Sequence, residues 1–335
     1  MPKKKHRQKI VTLGGGTGQF HLLSGLRELN DTSLITAVAG TWDSGGSSGR
    51  LRVELGVLPP GDIRRCTLAL MEDEKQRQVA QRLFDDRLEE MSGPLKGHSM
   101  GNLITARLDF IYKGQDRGIE AESNLFRVNA KVLPVSLTHV DLVAETASGK
   151  KIVGETNIDL RVKGKKYDPK DRIVRIYFDN RADPNPLVIK QIKTADKIVF
   201  APGDLYTSIL PHLLVDGVRE AIIKSKAKLI FVLNLATKRG ETDDFKASDY
   251  LKALLFYLNA PGRLDYMIAS TNNLEKEVLD IYKEEGQELV KVDEKESRKV
   301  APKTKIIKRK VSTYLRKEHL LRHDSLKLAS TILKL

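Results

Sequence analysis

Thiol chemistry has almost no place in this 335-residue chain, which holds a single cysteine, Cys66. A lone cysteine excludes an intramolecular disulfide and a multi-cysteine zinc site, and it fits a reducing compartment. No apolar run approaches the roughly 18 residues that a membrane span needs. The N-terminus is basic, but only short strand-like runs follow it, so no secretory signal is read. Acidic residues number 44 against 58 Lys and Arg, a formal charge of +14. That excess is missing from the body of the chain. Residues 1–9 hold five Lys or Arg and no acid, and residues 298–335 hold twelve against Glu318 and Asp324. The 41 basic and 42 acidic residues between them leave a net charge of −1. A protein that grips nucleic acid usually carries a basic patch on its folded body, so nucleic acid is not the expected partner. The ends read as solvated tails or as arms for an anionic partner.

What is there suits a folded α/β protein. The apolar fraction, 40%, is too high for a disordered chain and ample for a core. Residues 9–13 read as a buried strand running into Gly14-Gly15-Gly16-Thr17-Gly18. Phe20, Leu22, Leu23, Leu26 and Leu29 then recur at helical spacing. Leu34 to Ala39 is a second strand, followed by a polar loop from Thr41 to Arg52. Such a βαβ unit favours a parallel sheet with ligands beyond the carboxyl ends of its strands. Pro59 to Asp62 reads as a turn, with Asp62 capping a helix from Ile63, and residues 74–92 read as an amphipathic helix. Short β-rich runs over 131–178 suggest an inserted sheet. Lys197 to Ala201 and Leu229 to Leu235 resume the strand pattern. Beyond about 270 the chain reads as lysine-rich and irregular, closing in an apolar-periodic segment that docks as a helix. The expected fold is therefore α/β, a Rossmann-like parallel sheet with a small β-rich insert over 131–180. The divisions are a basic tail over 1–8, a nucleotide-binding domain over 9–270 and a basic segment over 271–335.

Four loops carry the candidate chemistry. In the first, glycine lets the backbone turn sharply and lets phosphate approach, and the following helix start offers N–H groups. The pattern fits G-x-G-x-x-G poorly and lacks the P-loop lysine, so a tight turn that binds nothing stays open. In the second, Ser47, Ser48 and Arg50 suit phosphate oxygens, while Asp43 could hold a hydroxyl, a metal or its own Asx turn. The third is Gly97 to Asn102. Here His98 could serve as an acid–base group or as a helix-start hydrogen bonder, and Asn102 could read a ligand or cap a helix. The fourth, Pro202 to Ser208, brings hydroxyls and Tyr206, which could stack on a ring or simply be buried.

In this order the loops resemble the YvcK/CofD-like family, and within it the YvcK branch of gluconeogenesis factors. The matching stretches are Gly14–Gly18, Asp43–Arg52, Leu58–Arg64, Gly97–Asn102 and Pro202–Pro211. Asn234 with Gly240–Thr242, Ala247–Asp249 and Arg322–Asp324 also match. The resemblance implies a cytoplasmic, homodimeric, Rossmann-like protein. It binds a UDP-sugar such as UDP-N-acetylglucosamine, needs no cofactor to do so, and influences cell shape and growth on gluconeogenic carbon. The more distant CofD branch transfers 2-phospho-L-lactate to a deazaflavin with Mg2+, and under that reading Asp43 and Asp62 would be catalytic. The family usually shows two adjacent carboxylates where Asp43-Ser44 stands here, and Gly-Pro-Gly-Ser where Ala201-Pro202-Gly203-Asp204 stands. Losing one carboxylate weakens a two-carboxylate metal site.

The expected ligand site follows. Gly15, Gly16, Thr17 and Gly18 cradle a diphosphate, with Gly45, Gly46, Ser47, Ser48 and Arg50 completing the anion site. Asp43 and Asn102 read ribose or sugar hydroxyls. Gly203, Asp204, Tyr206, Thr207, Ser208 and Asn234 form the far wall. An NAD(P)-dependent oxidoreductase is a weaker reading, because the glycine fingerprint is imperfect.

Overall fold

A computed structural model describes residues 6–163, 167–271, 274, 276–316 and 318–335. Strand β1 (Ile10–Gly14) leads into helix α1 (Gly16–Leu29), and β2 (Ile35–Ala39) into α2 (Gly46–Leu55). Helices α3 (Pro60–Leu70), α4 (Glu74–Asp85), α5 (Met100–Tyr112) and α6 (Gln115–Leu125) precede β3 (Lys131–Pro134). Then come β4 (Leu142–Thr146), β5 (Lys151–Val153), a short α7 (Glu155–Asp159) and β6 (Ile173–Phe178). Helix α8 (Pro186–Thr194) returns the chain to β7 (Lys197–Phe200), α9 (Val218–Lys224) to β8 (Lys228–Val232) and α10 (Ala247–Leu258) to β9 (Tyr266–Ser270). Helices α11 (Lys276–Glu284) and α12 (Glu294–Val300) precede β10 (Lys305–Arg309). The hairpin of β11 (Ser312–Leu315) and β12 (Leu320–His323) and the closing α13 (Ser325–Lys334) end the chain.

Seven strands form one parallel sheet in the order β10-β9-β8-β7-β1-β2-β3. Every residue of β1 and β2 is buried, as a parallel sheet covered on both faces requires. Alternation sends Val11, Leu13, Ile198 and Phe200 to one core and Ile10, Val199, Ile230 and Val232 to the other. From β1 the strand order runs one way to β3, and from β7 it runs the other way to β10. The direction thus reverses between β1 and β7. Such a switch point opens a crevice at the carboxyl ends of the strands.

The structure redraws several boundaries. Lys131–Pro134 pairs with β2 as the edge of the main sheet, so the small antiparallel sheet is only β5-β4-β6. Residues 271–335 are not a separate irregular segment, because they supply β10 to the main sheet and the β11–β12 hairpin. Their last helix does dock: Leu328, Ile332 and Leu333 are buried against Leu22, Leu23 and Leu26 of α1. Of the expected basic tail, residues 1–5 lie outside the described residues. His6 pairs with Asn30, and Gln8 bonds Asn30 and the Leu333 carbonyl, so this part is held to the body. Helix α3 begins at Pro60, and Asp62 sits inside its first turn instead of capping it. Helix α4 ends at Asp85, short of residue 92, and α2 starts within the expected second loop.

Candidate functional site

A cleft of about 780 Å³ lies over the switch point. The loops after β1, β2 and β7 all open into it, joined by Asn102 from α5 and Asn234 after β8. Trp42 ties two of these loops together, because its indole N–H donates to the Thr207 carbonyl at 2.6 Å. The tryptophan itself is buried beside His212 and Phe178.

Two helix starts meet here, those of α1 and α2. Each opens on a left-handed glycine, Gly16 at φ +60° and Gly46 at φ +48°, where a side chain is disfavoured although space is free. Gly15 and Gly18 are glycine for another reason. A Cβ on the first would strike the Asp62 carboxylate, and on the second the Pro202 carbonyl. The Gly16 N–H donates to Asp62 Oδ1 at 2.7 Å, so a carboxylate already satisfies one donor of the α1 start. Arg65 donates to the Thr17 hydroxyl at 2.9 Å.

A polar chain runs across the cleft wall. Arg64 Nε donates to Asn102 Oδ1 at 3.0 Å, and Asn102 Nδ2 donates to Ser48 Oγ at 3.2 Å. Ser48 in turn bonds Asp43, whose carboxylate also accepts from the Gly45 N–H at 2.9 Å. The Asx turn considered for Asp43 is therefore formed, and the residue lines the cleft as well. Gly61 lets α3 approach, since a Cβ there would lie 2.7 Å from Ser48 Oγ.

Carboxylates set the electrostatics. Burial raises Asp43, with Gly45 and Ser48 pulling the other way. Burial and then Asp43 push Asp62 up to about 6. Burial, Asp43 and Asp159 push Glu155 up to about 8. At the far wall Asp159, Asp204 and the buried Glu241 converge on Lys238, whose ammonium lies 2.6 Å from Asp159 and 3.3 Å from Asp204. Burial pulls Lys238 down, but Asp204, Asp159 and Glu241 more than offset it and hold the ammonium above its ordinary range. Burial and Asp204 push Glu241 up to about 8. Lys238 thus supplies the counter-charge that Asp204 requires.

Two expected site residues stand outside the cleft. Arg50 is exposed, and its guanidinium donates to the Lys96 carbonyl. The helix that begins at Gly46 turns it away from Ser47 and Ser48. Tyr206 is packed in the core against Phe245, so the buried alternative holds and no stacking face is offered. Its neighbours Gly203, Asp204, Thr207 and Ser208 do line the cleft, as do Gly15 to Gly18, Gly45 to Ser48, Asn102 and Asn234. His98 is buried and bonds Ser47, while Ser99 caps α5. Sequence reasoning missed Glu155 and Asp159, which α7 brings in from the small sheet, and Lys238. Nothing local marks the α7 pair, since their position depends on how the small sheet folds back. Arg64 and Arg65 had a signal, as they follow the Pro-Pro-Gly-Asp turn on the helix it starts.

A seven-stranded parallel sheet with a polar, glycine-lined cleft at its switch point defines a doubly wound, Rossmann-like α/β protein. Residues 10–311 match the family model described as 2-phospho-L-lactate transferase CofD, and the chain belongs to that family. It is 41% identical over 326 residues to a Thermotoga maritima protein named "Putative gluconeogenesis factor", covering 97% of this chain and 98% of that one. It is 36% identical over 330 residues to the "Gluconeogenesis factor" of Bacillus subtilis, covering 98% of each. The crystal structure of a upf0052-family protein from Bacillus halodurans superposes with a TM-score of 0.88 at 36% identity, over 98% of this chain and all of that one. Among the described residues no helix is long and apolar enough to cross a membrane.

Proposed function

We propose that this protein binds a nucleotide-sugar of the UDP-N-acetylglucosamine kind in the switch-point cleft. It would act as a regulatory protein of the gluconeogenesis-factor type, in the cytoplasm and as a homodimer, affecting growth on gluconeogenic carbon and cell shape. The observation that carries this reading is the convergence of two glycine-opened helix starts, α1 and α2, in one cleft. Helix starts attract phosphate through free N–H groups and the helix dipole. Beside them stand Asp43, Glu155 and Asp159, acceptors suited to sugar hydroxyls. Calorimetric titration with UDP-N-acetylglucosamine, GDP, NAD and a deazaflavin, with and without Mg2+, tests the reading. Saturable binding of the uridine nucleotide supports it, and silence with every uridine nucleotide refutes it.

A second reading is favoured by one observation: Asp43 and Asp62 line the same cleft, where the Asp43 charge helps to raise Asp62. Their oxygens are a hard donor set that fits Mg2+. Bound there, the ion would neutralise phosphate charge in a CofD-like transfer of 2-phospho-L-lactate to a deazaflavin, chemistry that needs chiefly positioning and charge neutralisation. Turnover of a guanosine-linked phospholactyl donor would decide for it.

A further inference from the structure

One wall of the cleft is built on a hydroxyl–imidazole pair that phosphate recognition does not require. Ser47 Oγ lies 2.9 Å from His98 Nδ1. Ser47 lines the cleft, and His98 stands behind it, 1% exposed, between the starts of α2 and α5. The Ser99 N–H donates to Ser47 Oγ at 3.3 Å. With that oxygen already accepting, the serine hydrogen is free to point at Nδ1, the direction a general base needs. Residues 45–49 also carry the G-x-S-x-G spacing, with tight approaches around the serine. A Cβ on Gly45 would strike the Thr156 hydroxyl, and one on Gly49 the Ser44 carbonyl. The loop of residues 40–45 between β2 and α2 is longer than a nucleophile elbow, so the likeness lies in the serine's placement at a helix start.

We infer that Ser47 is a nucleophile and His98 its base, and that the pair accepts a phosphoryl group from a phosphate ester or anhydride bound in the cleft. Phosphorus is the favoured electrophile because two helix starts, Arg64 and Arg65 line the same cleft as the serine. This deepens the nucleotide-binding reading and rests on it. In the step, Ser47 Oγ attacks phosphorus and its proton passes to His98 Nδ1. The Oγ–P bond forms as the bond from phosphorus to the leaving oxygen breaks. That oxygen departs opposite Oγ with the electron pair and is protonated by solvent in the cleft, while the imidazolium keeps the serine's proton and later releases it to solvent. The charged groups that face His98 are Arg50 and Glu54 on α2 and, at its own loop, Arg87, which bonds the Gly97 carbonyl. Burial, then Arg50, holds the imidazole below its ordinary range, so it is neutral and able to accept a proton at pH 7.

The test uses the full chain and diisopropyl fluorophosphate, whose P–F bond breaks as fluoride leaves, with peptide mass spectrometry to locate the label. We expect the label on Ser47, none on that peptide in Ser47→Ala, and labelling about 100-fold slower in His98→Asn, in line with the usual contribution of a general base. Asparagine can keep a hydrogen bond to Ser47 but cannot take its proton, so a purely structural tie would leave His98→Asn labelling at the wild-type rate. The wild-type pH profile needs no variant: the rate should rise with pH and level off by about pH 7 as His98 loses its proton. A label elsewhere, no label, an unaffected His98→Asn, or a rate that climbs unbroken through pH 8 each overturns the assignment. Wild-type protein that binds uridine nucleotide but escapes labelling removes the pair and leaves the binding reading intact. Labelling without nucleotide binding does the reverse.

Discussion

Gly16 shapes the start of α1 through one dihedral angle and one open direction. The residue sits at φ +60°, and a Cβ there would meet open space, not protein. Gly16→Val should therefore cost about 1–2 kcal/mol of backbone strain, a few degrees in melting temperature for a chain of this size. Affinity for uridine nucleotide should fall more than tenfold. Titration beside calorimetry checks this, and a parallel loss of fold and binding would make the loop structural. Asp62 gives a second test. Its carboxylate occupies the Gly16 N–H and is held up to about 6, so an arriving diphosphate meets less repulsion when Asp62 is protonated. Without divalent ions, wild-type affinity should fall as pH rises from 5 to 7. Asp62→Asn, which can still accept from Gly16, should flatten that dependence and bind more tightly at pH 8. At this scale the sequence was informative where backbone decides: glycines and helix-start serines can be read from residue type and order. It misled at Arg50 and Tyr206, because which face of a helix or turn looks into a cleft depends on packing that residue type does not carry.

Among the elements, α13 shows how the remote C-terminus serves the site. It packs on α1, the helix whose start faces the cleft, and the contact is close enough that a Cβ on Gly25 would strike the Ser325 carbonyl. Lys197 donates to the Ile332 and Leu333 carbonyls and closes the far end of α13. Ile332→Ala should cost about 2–5 kcal/mol, measured by denaturant unfolding. A cost under about 1 kcal/mol would mean that α13 does not brace α1. The docked helix was legible from the apolar-periodic run that includes Leu326, Leu328, Ile332 and Leu333, although Leu320 and Leu321 of the same run form β12 instead. The role of Lys131–Pro134 was not, since a four-residue β run looks alike in an inserted sheet and at the edge of the main one. Only pairing with β2 distinguishes them. The same limit hid β10 behind its lysines, because an edge strand tolerates charge that a central strand would not.

For the whole molecule, the buried acids make a prediction about pH. Folding raises Asp62 to about 6, Glu122 to about 7, and Asp109, Glu155 and Glu241 to about 8, burial being the first cause in each. A raised carboxyl binds more protons folded than unfolded, so stability falls as pH climbs from the unfolded value near 4 through these folded values. The free protein should melt several degrees lower at pH 8 than at pH 6, read by scanning calorimetry, and a higher melting point at pH 8 would contradict the account. The switch-point architecture was visible in outline from strands followed by polar glycine loops, while the reach of the small sheet into the cleft was not. All of it depends on phosphate sitting between two helix starts. A crystal structure with UDP-N-acetylglucosamine bound tests that most directly. The diphosphate should lie against the backbone N–H groups at the starts of α1 and α2, with the sugar hydroxyls toward Asp43, Glu155 and Asp159. A diphosphate bound away from those helix starts would contradict it.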